Sequence, residues 1–454
     1  MLKINSYIPF WVLFLLFFTM SAQEGELIFN SVEETINYAI ENNNNLENAR
    51  LDQEIVERQI AEIKGRALPQ IDGTAGFSDN FSLQEQILPA EIFGGEPGTT
   101  VNVAFGNRYQ YTAGVNARQE LLNFRLLNSI QSVQALENLR ELETLLSTQD
   151  LIINVVQTYI QVQVSEKEIE LLQQNVSRTA NLVELQRKRY EEGIVKKLDL
   201  NQLLVNLSNI EIQLEDAIIA LNQQFRLLKV LLNVPMDTKV VLQENLADRA
   251  AYPFEKGFLL DQNLEYQQLQ QSIDLSLIDE DLIKAEYLPT LAATFGYNYL
   301  GQSNEFVDFD PEVYQGQWNG NWGLALSIPI FDGFQRRNRL KQREIETEKL
   351  ENQQTTLRLN LEKDYRDALD RLMLSNSQIE SQDENMQLAQ ENYDGINLSY
   401  NEGVANLTEL LDAEFALRQA QSNYLNALLQ SRVAEITLLK TSGKLSQLIT
   451  NPQE

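Results

Sequence analysis

The chain has 454 residues, with 36 Lys and Arg against 65 Asp and Glu, a formal charge of −29. A surface this acidic repels the phosphate backbone and sets nucleic-acid binding aside. The sequence has no Cys and no His, which excludes disulfides, thiolate chemistry, zinc–thiolate sites, a lipid-modified N-terminal Cys, Ser-His-Asp and Cys-His nucleophiles, and His-ligated metals.

In chain order, residues 1–22 read as a secretory signal: Lys3, an apolar run over residues 10–20, then Ser21-Ala22-Gln23, so that the mature chain starts near Gln23. The apolar run is about half the ~20 residues that a membrane-spanning helix needs. Beyond it, Leu68-Pro69 marks a change from helix to strand, because the residue before proline is driven out of the helical region. A strand is expected over about 71–82, with Ile71, Ala75, Phe77 and Phe81 opposite Thr74, Ser78 and Asn80. A second, over about 109–121, alternates Tyr109, Tyr111, Ala113, Val115 and Ala117 with Gln110, Thr112, Asn116 and Arg118. The Gly-, Pro- and Asn-bearing stretch 83–108 is expected to be the loop between them.

No proline occurs between Pro97 and Pro235, and only Gly193 interrupts the interval from Gly114 to Gly257. This tract can therefore be helical nearly throughout, and a hairpin over about 123–232 turning at Gly193 is expected. Ile169, Val176, Val183 and Tyr190 recur every seven residues; Leu203, Leu207, Ile210, Leu214, Ala217 and Leu221 step by four and three. The first helix is about 70 residues, on the order of 100 Å at ~1.5 Å per residue.

The plan then recurs. Leu288-Pro289 precedes a strand over about 290–300 (Leu291, Ala293, Phe295, Tyr297, Tyr299), a loop 301–319 and a strand over about 320–330 (Trp322, Leu324, Leu326, Ile328, Ile330). A hairpin over about 333–442 turns at Gly403, with Ile379, Met386, Tyr393 and Tyr400 standing 210 residues after their counterparts. Ala413, Ala420, Ala427 and Ala434 form a seven-residue column flanked by Leu410, Leu417 and Tyr424. Two structural repeats result, 23–240 and 241–454, and the tail 446–454 carries no readable signal. The fold class expected is an α+β membrane protein with four transmembrane β-strands per chain and very long coiled-coil helices. Four strands cannot close a barrel, and an open edge cannot sit in hydrocarbon. Two copies would bring eight strands, whose interior side chains fill, so a conducting pore calls for three or more copies.

The segments Tyr190-Glu191-Glu192-Gly193-Ile194-Val195 with Asp199, and Tyr400-Asn401-Glu402-Gly403-Val404-Ala405 with Glu409, resemble the paired hairpin tips of the TolC-type outer-membrane efflux proteins. Leu68-Pro69-Gln70-Ile71, Leu288-Pro289-Thr290-Leu291, Ile328-Pro329-Ile330-Phe331-Asp332-Gly333 and Ser442-Gly443-Lys444-Leu445 are similar to that family too. The resemblance implies a homotrimer in the outer membrane of a Gram-negative bacterium, with a twelve-stranded barrel, a twelve-helix periplasmic tunnel and a collar fed by 29–45 and 232–262. It implies export of small molecules or proteins through a duct joined to an inner-membrane pump by a periplasmic adaptor, with no cofactor and no metal. The tips Gly193-Ile194-Val195 and Gly403-Val404-Ala405 are then the adaptor-docking residues.

Glu409 and Asp412, at i and i+3, share a helix face. Three copies around one axis would crowd up to six carboxylates into a throat, raising one another's pKa and attracting cations. In the family's best-known member acidic residues stand at both offsets and form the periplasmic constriction, so Glu409 and Asp412 are the candidate gate. Tyr400 and Asp199 match positions that hold the entrance shut. Ala405 stands where that member has arginine, so the lock is either weaker or built from Lys196 and Lys197. Two other readings compete: a non-porous periplasmic coiled-coil scaffold or adhesin, which leaves the strands without a purpose, and an enzyme using Glu191 and Glu192. Those two glutamates are adjacent, point in different directions and have no His, Cys or phosphate loop beside them.

Overall fold

The computed structural model describes residues 26–244, 257–306 and 315–445. The expected signal 1–22, the tail 446–454 and parts of the collar segment and second loop lie outside the described residues. No helix among the described residues is long and apolar enough to cross a membrane.

The chain opens with β1 (Glu26–Phe29), α1 (Val32–Asn42) and α2 (Asn44–Gly65). Ser31 accepts from the Glu34 amide at the start of α1, and Asn43 accepts from the Asn45 and Leu46 amides at the start of α2, as N-cap residues do. β2 (Gln70–Asp79) pairs antiparallel with β5 (Tyr109–Leu122). Between them the expected loop holds a small hairpin of its own, β3 (Glu85–Pro89) and β4 (Thr100–Ala104). Its strands are short alternations such as Val101-Asn102-Val103, overlooked among the surrounding Gly and Pro, and Gly94 turns the chain between them at φ +77°.

Next come α3 (Phe124–Glu191) and α4 (Lys197–Leu231), then β6 (Lys239–Leu242), which lies parallel to β1. After α5 (Leu264–Ala285), β7 (Thr290–Ser303) and β8 (Gln315–Ser327) pair antiparallel, followed by α6 (Gln335–Asn401) and α7 (Leu407–Thr441). β8 stops at Ser327, short of Ile330. Pro329 offers no ladder donor, and Asp332-Gly333, with Gly333 at φ +66°, turns the chain into α6.

The four long strands form one sheet in the order β2-β5-β7-β8. The register puts Ile71, Ala117, Phe295 and Trp322 in one row, and Ala75, Ala113, Tyr299 and Trp318 in another. The apolar face anticipated strand by strand is therefore continuous across the sheet, with Trp322, Leu324, Leu326 and Ile71 exposed. The opposite face carries Asn116 and Asn298, side chains hydrogen-bonded at 3.3 Å, beside Asn321. Trp318 stacks on Tyr297 with ring centroids 4.9 Å apart.

Next to the sheet α3 lies between α2 and α5, and α5 lies against α6. Nearer the glycine turns α3 packs on α4 and α7, and α7 on α6. The main core is where β1, α1 and β6 wrap the middle of α3 and the ends of α4 and α7: Phe29, Val32, Ile36, Tyr159, Ile160, Leu228, Leu232 and Ile436 are all buried. Glu244, just past β6, accepts from the Val32 amide at 3.1 Å and from the Tyr159 hydroxyl at 3.3 Å, pinning α1 to α3.

Candidate functional site

Both hairpins turn by the same geometry. Gly193 and Gly403 have φ +77°, a left-handed conformation that glycine adopts without steric cost. The Ile194 amide donates to the Arg189 carbonyl and the Val404 amide to that of Ser399, each at 2.8 Å. These six-to-one bonds close a Schellman motif and satisfy carbonyls left over at the helix end. Ile194 and Val404 are exposed, whereas Val195 and Ala405 are half-buried. The tips thus present one apolar side chain each to whatever lies beyond them.

A second small core holds the tips together: Val183, Leu200, Leu203, Tyr393, Tyr400, Leu407, Leu410, Ala413 and Leu417. The structure brings the anticipated pair Tyr400 and Asp199 close, and adds two residues. Arg189 lies 5.9 Å from the Tyr400 ring centroid, and Arg189, Gln186 and Asp199 are the polar neighbours that act on its phenol. Burial raises the phenol above the ordinary tyrosine range, while Arg189 and Gln186 pull the other way. Arg189 of α3 thus supplies a cation beside Tyr400 within the protomer. One turn after Gln186, which itself stands seven residues past Thr179, Arg189 could have been found by following that polar column.

Glu409 and Asp412 are both exposed on the first turns of α7. Glu409 also closes a capping box: its amide donates to the Asn406 side chain at 3.0 Å, and its carboxylate accepts from the Asn406 amide at 3.1 Å. Glu191 and Glu192, the residues of the enzyme reading, sit exposed at the end of α3. Among the described residues no group of carboxylates could hold a metal ion.

Further from the turns, the sequence reading missed a layer of buried polar residues. Glu414, 2% exposed, accepts from the Thr179 hydroxyl of α3 and from the Asn206 amide of α4 at 3.1 Å. Arg418 donates to Asn206 at 3.3 Å, and Asn175 to Gln421 at 3.3 Å. Arg178 lies 4.7 Å from the Tyr393 ring centroid. Burial is the main cause that raises the Tyr393 phenol, with Arg178 opposing and Glu414 reinforcing. The signal was present in the sequence, since Leu407, Glu414, Gln421, Leu428 and Glu435 are spaced by seven, a column that mixes leucine with polar residues.

This arrangement of sheet, long helices and paired tips has known counterparts. A family model described as outer membrane efflux protein matches residues 35–234 and 258–444. The outer membrane protein TolC of Vibrio cholerae is 21% identical over 427 residues, covering 92% of this chain and 91% of that protein. Among solved structures, CusC superposes with a TM-score of 0.73 at 20% identity over 90% of this chain and 91% of that one. The open-state Neisseria gonorrhoeae MtrE outer membrane channel gives 0.72 at 17% identity over 92% and 91%. The chain belongs to the outer membrane efflux protein family, the TolC-type channels, a family of channel proteins and not of enzymes.

Proposed function

We propose that three copies of this chain close into a duct through the outer membrane and across the periplasm, which an inner-membrane pump and a periplasmic adaptor feed with small molecules or proteins. The reading rests on one observation above all, the lateral order of the elements at three levels: β2-β5-β7-β8 in the sheet, α2-α3-α5-α6 beside it, and α4-α3-α7-α6 near the tips. One side of the protomer is thus β2, α2 and α4, and the other is β8 and α6. A second copy laid edge to edge satisfies the free ladder groups of β2 and β8, which hydrocarbon does not tolerate unpaired. It also covers Leu198, Val205, Ile212 and Ile219, spaced by seven along α4 and all exposed in the single chain. That spacing is the seam of a coiled coil.

With three copies the strands number twelve and the continuous apolar face turns outward to lipid, leaving Asn116, Asn298 and Asn321 toward the lumen. Glu409 and Asp412 then form the gate at the narrow end, with Tyr400, Asp199, Arg189 and Gln186 holding it closed, and Ile194, Val195, Val404 and Ala405 meet the adaptor. The test is purified protein in planar bilayers. Discrete low conductance with cation preference, together with a heat-modifiable trimer band, supports the duct; a detergent-independent soluble monomer or dimer without conductance supports the scaffold reading instead.

A further inference from the structure

The β5–β7 ladder fixes the alignment of the two halves at the sheet end. Far from that ladder, near the tips, seven-residue seams of Leu and Ala leave room for a local shift of α7 against α3 and α4. Beside the contact of α3, α4 and α7 lies an open pocket of about 480 Å³, lined in part by Asn175, Gln213, Phe415, Arg418 and Gln421. Within this stretch Glu414 ties the two hairpins together. Glu414 occupies a column whose neighbours seven residues away are Leu407 and Gln421, and its partners Thr179 and Asn206 come from both helices of the other hairpin.

We propose that Glu414 is the registry key of the tips: its carboxylate, bound by Thr179 and Asn206, sets the local alignment of the second hairpin's end on the first. The alignment it sets determines whether Tyr400 meets Arg189, Gln186 and Asp199, and at what height Glu409 and Asp412 stand. A local shift of α7 out of this alignment carries the carboxylate away and leaves the Thr179 hydroxyl and Asn206 amide without their acceptor in a buried place. A buried polar group in an apolar seam commonly works this way, trading stability for a single register. Glu414 acts through its neighbours and touches no transported solute, so it is a positioning residue. The Glu414 charge reaches Tyr393, over whose ring Arg178 lies, and Arg418 donates to its partner Asn206.

This inference rests on the duct reading, and the two are separable by experiment. Single-channel recordings of wild type, Glu414→Gln and Glu414→Leu are compared with the heat stability of the assembled protein. Leucine fills the site but leaves the Thr179 hydroxyl and Asn206 amide unpaired in every alignment, so Glu414→Leu is expected to assemble with lower heat stability and to show several conductance levels, the highest several-fold above wild type. Glu414→Gln keeps an acceptor for Thr179 and is expected to restore the single wild-type level. If Glu414→Leu assembles and conducts at one wild-type level, the key is refuted while the duct stands. If Glu414→Leu does not assemble, Thr179→Val decides: several levels support the key, and one wild-type level overturns it. Absence of conductance in the wild type refutes the duct and with it the gate that Glu414 aligns.

Discussion

The two hairpins share a backbone and differ in chemistry. α4 and α7 are both 35 residues, α3 and α6 are 68 and 67, and both turns have a glycine at φ +77°. Position for position at the 210-residue offset, however, Lys196 faces Asn406, Gln202 faces Asp412, Leu204 faces Glu414, and Tyr190 faces Tyr400. Tyr190 is 39% exposed and Tyr400 8%. The same heptad position is thus solvent-facing in one hairpin and in a hydrogen-bonded cluster in the other. Helix geometry follows from local residue types and repeats readily, whereas the chemistry of a position follows from its neighbours. Thr179, Arg178, Arg189 and Asn206 of the first hairpin bring donors and cations to Glu414, Tyr393 and Tyr400 of the second, and Arg418 of the second donates back to Asn206.

The sharpest way to break this contrast is at the charges. Glu409→Ala/Asp412→Ala is expected to raise single-channel conductance several-fold and abolish cation preference, whereas the matching pair Asp199→Ala/Gln202→Ala leaves the preference in place. Equal changes in both double variants would erase the distinction between the hairpins. Next in size is the shared feature. Gly193→Ala and Gly403→Ala each put a Cβ on left-handed backbone at a cost of about 1–2 kcal/mol, and open space around both glycines means that conformation alone is responsible. Thermal unfolding of the two variants should agree closely.

The caps differ by design of sequence. α7 starts with the Asn406 and Glu409 capping box, while Lys196 makes no side-chain cap to α4. Asn406→Ala should destabilise by about 1 kcal/mol and Lys196→Asn should stabilise by a comparable amount, read as shifts in the denaturation midpoint. Smallest is the tyrosine pair: Tyr400→Phe loses its bonds to Arg189 and Gln186, about 0.5–1.5 kcal/mol, and Tyr190→Phe is neutral. The Tyr400 phenol is raised in the fold, mainly by burial, so its contribution is complete below the ordinary tyrosine value of about 10. That contribution is lost as pH rises through the raised value. Alkaline titration of stability should therefore flatten in Tyr400→Phe.

Much of the architecture was legible because it is local. The scarcity of Pro and Gly gave the long helices, Gly193 and Gly403 gave their turns, and period-two alternation gave four strands whose faces join correctly in the sheet. The β3–β4 hairpin was hidden because five-residue strands amid Gly, Pro and Asn leave too few alternations to count. Of the site, Tyr400 and Asp199 stand out in the sequence by resemblance to the family's entrance positions, while Arg189 and Gln186 belong to no motif that marks them.

The sequence by itself determined which segments are helix or strand, which face of each is apolar, and that one chain exposes edges it cannot satisfy alone. Only the tertiary structure decided that β5 pairs with β7 across the two halves, that Tyr400 is covered and Tyr190 is not, and that Glu414 is a buried hub instead of one more acidic residue among 65 Asp and Glu. The physical reason is range. Helix, strand and turn preferences act over a few residues, whereas Thr179, Asn206 and Glu414 are separated by up to 235 positions and meet only when both hairpins lie side by side.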